Sequence, residues 1–272
     1  MCRLYGLRST HPTRVGCELI DAQNSLIRQS VNDARGFANP HGWGLGFVLE
    51  DGTVSCRREV EPASESDEFR HHAADIEAPT VIAHVRRATV GATQRVNTHP
   101  FVDDGAMLAH NGHIDFFDRV RERILEALPD HRENAILGTT DSEHIFQLLR
   151  HRRDQNPDWS MRDTLRHCIT EIREWAESID TDAQVAINVV WVEGRKMAVS
   201  RYNRSLFYIE RTEPHTCRVC GRQHAHPADG EEYHAVEVAS ERINKSDWTE
   251  VPRGTVFQVG PEITFDPRPI FG

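Results

Sequence analysis

Apolar positions recur along this chain with two spacings, that of a strand and that of a helix. Short apolar runs bounded by turn residues predict strands at 3–8, ended by His11-Pro12, and at 43–49. The latter closes through Asp51-Gly52 onto 53–57 as a hairpin, and further strands follow at 80–85 and 106–114. Residues 97–101 read as a turn. Helical spacing marks 18–30, where Leu19, Ile20, Leu26 and Ile27 share a face, and 64–75, a polar stretch with a cap signal from Ser64 to Asp67. An amphipathic helix over 116–128 ends before Pro129. Asp141 reads as the N-cap of a helix carrying Ile145, Phe146, Leu148 and Leu149, and a longer helix covers 161–177. Strands at 183–192 and 196–202 pair around Glu193-Gly194-Arg195, and 205–209 starts another. A polar stretch at 211–232 interrupts the pattern before it resumes at 233–239 and 254–259. This order predicts an α+β chain with two layers of sheet, a single domain over 1–272 with an insertion at about 211–232.

Composition narrows the function classes. The net charge is −10, with acidic and basic residues mixed along the chain, so the basic stripe of a nucleic-acid surface is missing. No stretch approaches the roughly 18 apolar residues of a membrane span, and the start lacks a charged region followed by an apolar run. The six cysteines, at 2, 17, 56, 168, 217 and 220, show no regular disulfide spacing. The expectation is a soluble cytoplasmic protein with reduced thiols, while sixteen histidines leave room for metal or acid–base chemistry.

The candidate chemistry starts at the N-terminus. With Met1 removed, Cys2 carries a thiol and a free α-amine whose pKa, about 7.7–8.0, suits a general base at neutral pH. The plainer reading is an ordinary thiol at the start of a strand. Around Trp43, the glycines of 39–49 run into a strand rather than a helix N-terminus. They therefore fail as a phosphate loop and suggest backbone packed closely against something. Arg86 follows a buried strand and could clamp a carboxylate or simply lie on the surface. Asn111-Gly112, taken alone, reads as a type I′ turn. Its functional alternative is an oxyanion hole, whose donors are worth about 2.7–4 kcal/mol each. Asp141 could present its carboxylate to an ammonium as well as cap a helix.

In the polar stretch, His215, Cys217, Cys220, His224 and His226 fall close together. Cys217, Cys220, His224 and His226 supply four ligands suited to a structural, tetrahedral zinc. A surface loop with free thiols, or a labile Cys217–Cys220 disulfide, are the alternatives.

In combination these residues resemble the class II glutamine amidotransferases, whose glutaminase domain is an N-terminal-nucleophile hydrolase. The resemblance rests on Cys2; on Ala83-His84-Val85-Arg86 with Thr89 and Gly91; on Asn97-Thr98-His99-Pro100; on His110-Asn111-Gly112; and on Thr140-Asp141-Ser142-Glu143. Arg3, His41-Gly42-Trp43-Gly44, Val238-Ala239-Ser240-Glu241, Trp248 and Val251-Pro252 are closer to a stand-alone branch that includes the ergothioneine-biosynthesis amidohydrolases. The resemblance implies a four-layer αββα sandwich. It implies Cys2 as nucleophile with its own α-amine as base, and Asn111 and Gly112 as the oxyanion hole. Arg86 would hold the substrate α-carboxylate, Asp141 its α-ammonium, and Thr89 a further contact. The substrate would be glutamine or a γ-glutamyl compound. Arg87-Ala88-Thr89-Val90 and His41 depart from the commoner patterns, which leaves the part of the substrate beyond the γ-glutamyl group open.

No synthase domain fits beside the glutaminase portion. Released ammonia would go to a separate synthetase partner or simply be a product, and the stand-alone branch favours an amidohydrolase that trims a γ-glutamyl group. A non-enzymatic partner protein is the competing class, against which every catalytic group is present. An N-terminal-nucleophile amidase for non-glutamyl amides is another, against which stands the Arg86 and Asp141 pair.

Overall fold

The computed structural model describes residues 2–214 and 216–271, so Met1 and His215 lie outside the described residues. One antiparallel sheet contains β1 (Arg3–Arg14), β2 (Trp43–Val48), β3 (Val54–Glu59) and β4 (Glu77–Val85). The other begins with β5 (Phe101–Asp103), β6 (Ala106–Ile114), β7 (Val185–Glu193) and β8 (Lys196–Arg201). The chain then returns to the first sheet with β9 (Phe207–Arg211), β10 (Ala235–Ala239) and β11 (Thr249–Glu250), and to the second with β12 (Thr255–Val259) and β13 (Arg268–Pro269). The spatial orders are β11-β9-β10-β1-β4-β2-β3 and β13-β12-β8-β7-β6-β5. The helices are α1 (Leu26–Val31), α2 (Asp67–Asp75), α3 (Phe117–Ala127), α4 (Asp130–Glu133), α5 (Asp141–Gln155) and α6 (Met161–Ile179).

The two sheets stack because their strands are apolar on both faces. Leu4, Ile82, Met107, Ala109, Val190 and Val238 meet between the sheets. Their alternating neighbours Tyr5, Leu7, Val81 and Ala83 pack outward with Leu19, Leu26 and Phe69. On the far side Leu108, Ile187 and Trp191 pack with Val120, Phe146, Leu149 and Leu165 of α3, α5 and α6. The result is the four-layer αββα sandwich that the resemblance implies.

The cap of α2 is Ser66, whose hydroxyl accepts from Phe69 N–H, and not Ser64, and four further differences from the sequence reading concern the architecture. β1 does not end at His11-Pro12: it continues to Arg14, because its register on β4 shifts between Arg8 and Thr13. Pro12 sits in that irregularity, where its missing N–H interrupts no ladder. The helix read over 18–30 splits into a π-helical turn, Cys17–Asp21, and α1, with Ala22 extended between them. Asn24 N–H donates there to the Ile243 carbonyl instead of continuing a helix. The cap of α5 is Thr140, whose hydroxyl accepts from Glu143 N–H, so Asp141 is the first helical residue and not the N-cap.

The fourth correction bears on the site. Asn111-Gly112 makes no turn: β6 runs straight through it, with Asn111 opposite Asn188 and Gly112 opposite Ile187. Gly112 is needed for close approach, since a Cβ there would collide with the Ala186 carbonyl. The glycines of β2 have the same explanation. A Cβ on Gly44 would collide with the His99 carbonyl, so these glycines let β2 lie against His99-Pro100. Gly44→Ala should therefore lower stability by about 1–3 kcal/mol or more, read from the urea midpoint. An unchanged midpoint would contradict this contact.

Candidate active site

Cys2 lies just before β1 and is half-buried. Its thiol donates to the Arg87 carbonyl at 3.4 Å while the sulfur accepts from Arg87 N–H at 3.3 Å, so the side chain is held from both sides. Burial pushes the thiol up from its ordinary value, the Arg87 N–H and the Arg86 guanidinium pull it back, and Asp141 opposes them. The resting group is a neutral thiol that needs a base. Its backbone is fixed by Arg3, which donates to the Cys2 carbonyl at 2.9 Å and is buried between Asp33, at 2.8 Å, and Glu241, at 2.6 Å.

Arg86 follows β4 and turns its guanidinium into its own loop. Nη1 donates to the Ala92 carbonyl at 3.2 Å and Nη2 to those of Val90 and Gly91 at 3.0 and 3.2 Å. Asn97 ties the same loop to the entry of α5, donating to Ala92 O and accepting from Thr139 N–H. Gly91, at φ +72°, fits under Thr139 and Asn97 where a Cβ would not. The Arg86 charge acts on Cys2, and both Cys2 and Asp141 act on Arg86. Thr89 is exposed on this loop.

Asp141 is buried at the start of α5. Its Oδ1 accepts from the N–H and hydroxyl of Ser142, and its Oδ2 has no hydrogen-bond partner among the described residues. Ser142 also bonds His110 Nδ1 at 2.9 Å, which locks α5 to β6 one residue before Asn111. Asn111 Nδ2 donates to Ser240 Oγ at 3.2 Å. Ser240 in turn accepts Leu4 N–H and donates its own N–H to Leu4 O, so the amide is tied to the strand that follows Cys2. Asn111 and Arg3 also line one cavity of about 550 Å³, together with Arg35, Arg201, Arg204 and Arg253.

The structure thus gathers Cys2, Arg86 and Asp141 within electrostatic reach of one another and links Asn111 to the same strand end. A thiol, an amide donor, a guanidinium and a carboxylate with one open oxygen are the parts for acyl transfer on an amino-acid amide. A profile of the family described as "Glutamine amidotransferases class-II" matches residues 1–264. The chain belongs to the class II glutamine amidotransferases. It is therefore an enzyme of the N-terminal-nucleophile hydrolase type, acting on glutamine-type amides. The "Probable glutamine amidotransferase DUG3" of Saccharomyces cerevisiae is 28% identical over 95% of this chain and 82% of its own length. The gamma-glutamyl-hercynylcysteine sulfoxide hydrolase of Mycobacterium tuberculosis is 35% identical over 55% of this chain and 64% of its own. Among solved structures, a glutamine aminotransferase class-II domain protein from Silicibacter pomeroyi superposes with a TM-score of 0.67 at 18% identity, covering 98% of this chain and 99% of that one.

Several residues of this amidotransferase escaped the sequence reading. Asp33 and Glu241 hold Arg3, Ser240 holds Asn111, and His41 Nδ1 accepts from Ala88 N–H to brace the loop after Arg86. Arg3, His41, Ser240 and Glu241 were visible as parts of the resemblance but carried no role; Asp33 gave no signal. At the other end of β1, Cys217, Cys220 and His224 come together with Cys17, and not with His226, which is exposed.

Three histidines of the family pattern, His84, His99 and His110, are buried side by side, with His84 and His99 rings 4.1 Å apart. Burial, then neighbouring positive charge, lowers His84 to about 3 and His99 well below its usual range. Burial also lowers His110, against an opposing pull from Asp141. All three are neutral in the fold, whereas the unfolded chain protonates them below about pH 6.5. The contribution of His84 and His99 is complete above that pH and falls as the pH drops toward the folded values, by about 1.4 kcal/mol per pH unit for each, and His110 acts in the same direction. Unfolding free energy should fall from pH 7 to pH 5, and His84→Asn should shallow that slope by one histidine's share. An equal slope in the variant would refute the assignment.

Proposed function

We propose that this enzyme hydrolyses the γ-amide of a γ-glutamyl compound through a Cys2 thioester. The observation that carries the reading is Asp141 Oδ2, a buried carboxylate oxygen with no hydrogen-bond partner among the described residues, beside the nucleophile and Arg86. An unpaired buried carboxylate is costly, and a substrate α-ammonium satisfies it. Arg86 retains two of its five N–H donors for the α-carboxylate. With Met1 gone, the Cys2 α-amine takes the thiol proton and sulfur attacks the γ-carbonyl. Asn111 and the Gly112 N–H hold the oxyanion, and the ammonium proton passes to the departing nitrogen. Water then cleaves the thioester, releasing the γ-carboxylate and restoring the thiol.

The leaving side favours a compound larger than glutamine. Arginines line the cavity that Asn111 borders; Arg3 and Arg201 already pair with acids, and Arg204 and Arg253 add the basic face that suits an amine fragment bearing negative charge. The mycobacterial relative is likewise named as a hydrolase of a γ-glutamyl compound. The alternative, a glutaminase that supplies ammonia to a separate synthetase, gives this basic cavity no substrate group to receive.

Cys2→Ala should abolish turnover, and intact mass should show active protein without Met1. Activity in protein that keeps Met1 would overturn the α-amine mechanism. Asp141→Asn should lower kcat/KM by roughly 10- to 100-fold, the worth of one charged hydrogen bond. Among substrates, γ-glutamyl amides with a carboxylate on the amine side should exceed glutamine in kcat/KM. Arg204→Ala should erase that preference while sparing glutamine. Equal rates for both substrates would favour the ammonia-supplying alternative.

A further inference from the structure

We infer that the insertion between β9 and β10 is held to the end of β1 by a structural zinc ion bound by Cys17, Cys217, Cys220 and His224. The four ligand atoms lie within 4.8 Å of one another, and Cys220 Sγ is 3.4 Å from His224 Nε2. A tetrahedral zinc with sulfur at about 2.3 Å and nitrogen at about 2.0 Å requires edges of roughly 3.5–3.8 Å, so little movement completes the site. The three cysteines and one histidine fit one metal type: three thiolates and an imidazole form a closed, soft set with no position left for substrate. The cysteines are free thiols.

Two further observations point to a metal. The first is the turn at 217–221, where Cys217 Sγ accepts from Val219 N–H at 3.4 Å and the Cys217 carbonyl accepts from Gly221 N–H at 2.9 Å. Gly221 takes φ +71°, which lets the chain fold back and aims both sulfurs the same way. The second is Glu18, buried beside Cys17, with a carboxylate oxygen 3.5 Å from His224 Nδ1. The acid faces Nδ1 while Nε2 faces Cys220, the orientation in which a carboxylate positions a zinc-ligating histidine.

The insertion is also tied to β1 and the core by hydrogen bonds and packing: His11 meets Glu231 at 2.9 Å, and Ala225 and Val219 pack into the apolar cluster on that side. Thr13 pairs with Ala225, Arg14 N–H donates to the His224 carbonyl, and Thr216 pairs with Gln223. Cys17 is supplied by the π-helical turn directly after β1, two hundred residues before Cys217, so the ion cross-links distant parts of the chain. A small cavity of about 280 Å³ lined by Cys17, Cys220 and His224 gives the ion an entry path. Binding displaces the three thiol protons and changes no oxidation state. The role is structural, since Cys2 stands at the opposite end of β1.

The test is metal content of the whole protein, purified in reductant without chelator and then dialysed against zinc. Wild type and His226→Ala should each hold one zinc per chain, while Cys17→Ser and Cys220→Ser should lose it. Because those variants can misfold, cobalt(II) is also loaded into metal-stripped wild type, which should give the intense absorption of a tetrahedral thiolate complex. Zinc removal should lower the thermal midpoint, with Cys2-dependent turnover persisting below it. Zinc below about 0.2 per chain, against the near-full occupancy of closed structural sites, would overturn the inference. So would full metal retention in Cys17→Ser, loss in His226→Ala, octahedral cobalt spectra, or a Cys17–Cys220 disulfide in the reduced preparation.

Discussion

The active site depends on one buried charge, the guanidinium of Arg3. It lies immediately after the nucleophile and is almost wholly out of water, so its position is fixed by the carboxylates of Asp33 and Glu241. Removing Arg3 would leave two buried carboxylates facing each other without a counter-charge, which costs several kcal/mol. The pairing therefore specifies where the chain begins: β1 cannot slide without separating Arg3 from acids on two other segments. Since Arg3 also donates to the Cys2 carbonyl, the ion pairs that fix the strand fix the nucleophile. Glu241 adds to this by accepting from Ala34 N–H and Asn24, which closes the segment carrying Asp33 against the same point.

The same strand end organises the electrophile's side. Ser240 precedes Glu241, and its hydroxyl joins Leu4 N–H to the amide of Asn111. Two consecutive residues after β10 thus hold the nucleophile strand through Arg3 and the oxyanion donor through Asn111. Across the cleft, His110–Ser142 and Asn97–Thr139 bind β6 and the Arg86 loop to the start of α5. Asp141 and Asn111, proposed to receive the substrate ammonium and the oxyanion, are in this way referenced to each other. Catalysis by preorganised dipoles needs that rigidity more than it needs any single donor.

Much of the fold was legible because both sheets are buried on two faces, which makes their strands plain apolar runs bounded by turns. The errors have local causes. Asn111-Gly112 has the composition of a turn, and only the neighbouring β7 backbone, approaching too closely for a Cβ, shows why glycine stands mid-strand. Pro12 ends a strand by local rules, but an irregular register absorbs it. The Cys2, Arg86, Asn111 and Asp141 set was visible only as a family pattern, for each residue alone had a plainer explanation. Cys17 could not be paired with Cys217 and Cys220 from spacing, because their proximity comes from sheet order. Asp33 was equally silent, since a buried ion pair leaves no periodic trace.

Sheet order also explains why an insertion two hundred residues from the N-terminus bears on the nucleophile strand. β9, β10 and β1 are consecutive neighbours, so the segment joining β9 to β10 must emerge beside the far end of β1. β10 then runs back, antiparallel to β1, and delivers Ser240 and Glu241 to the catalytic end. One strand pair therefore has Arg3 and Ser240 at one end and Cys17 with the cysteine turn at the other. Fixing the far end limits the sliding and twisting available to β10, and β10 is the element on which both Arg3 and Asn111 rely. The two clusters share no atoms, yet they constrain the same two strands.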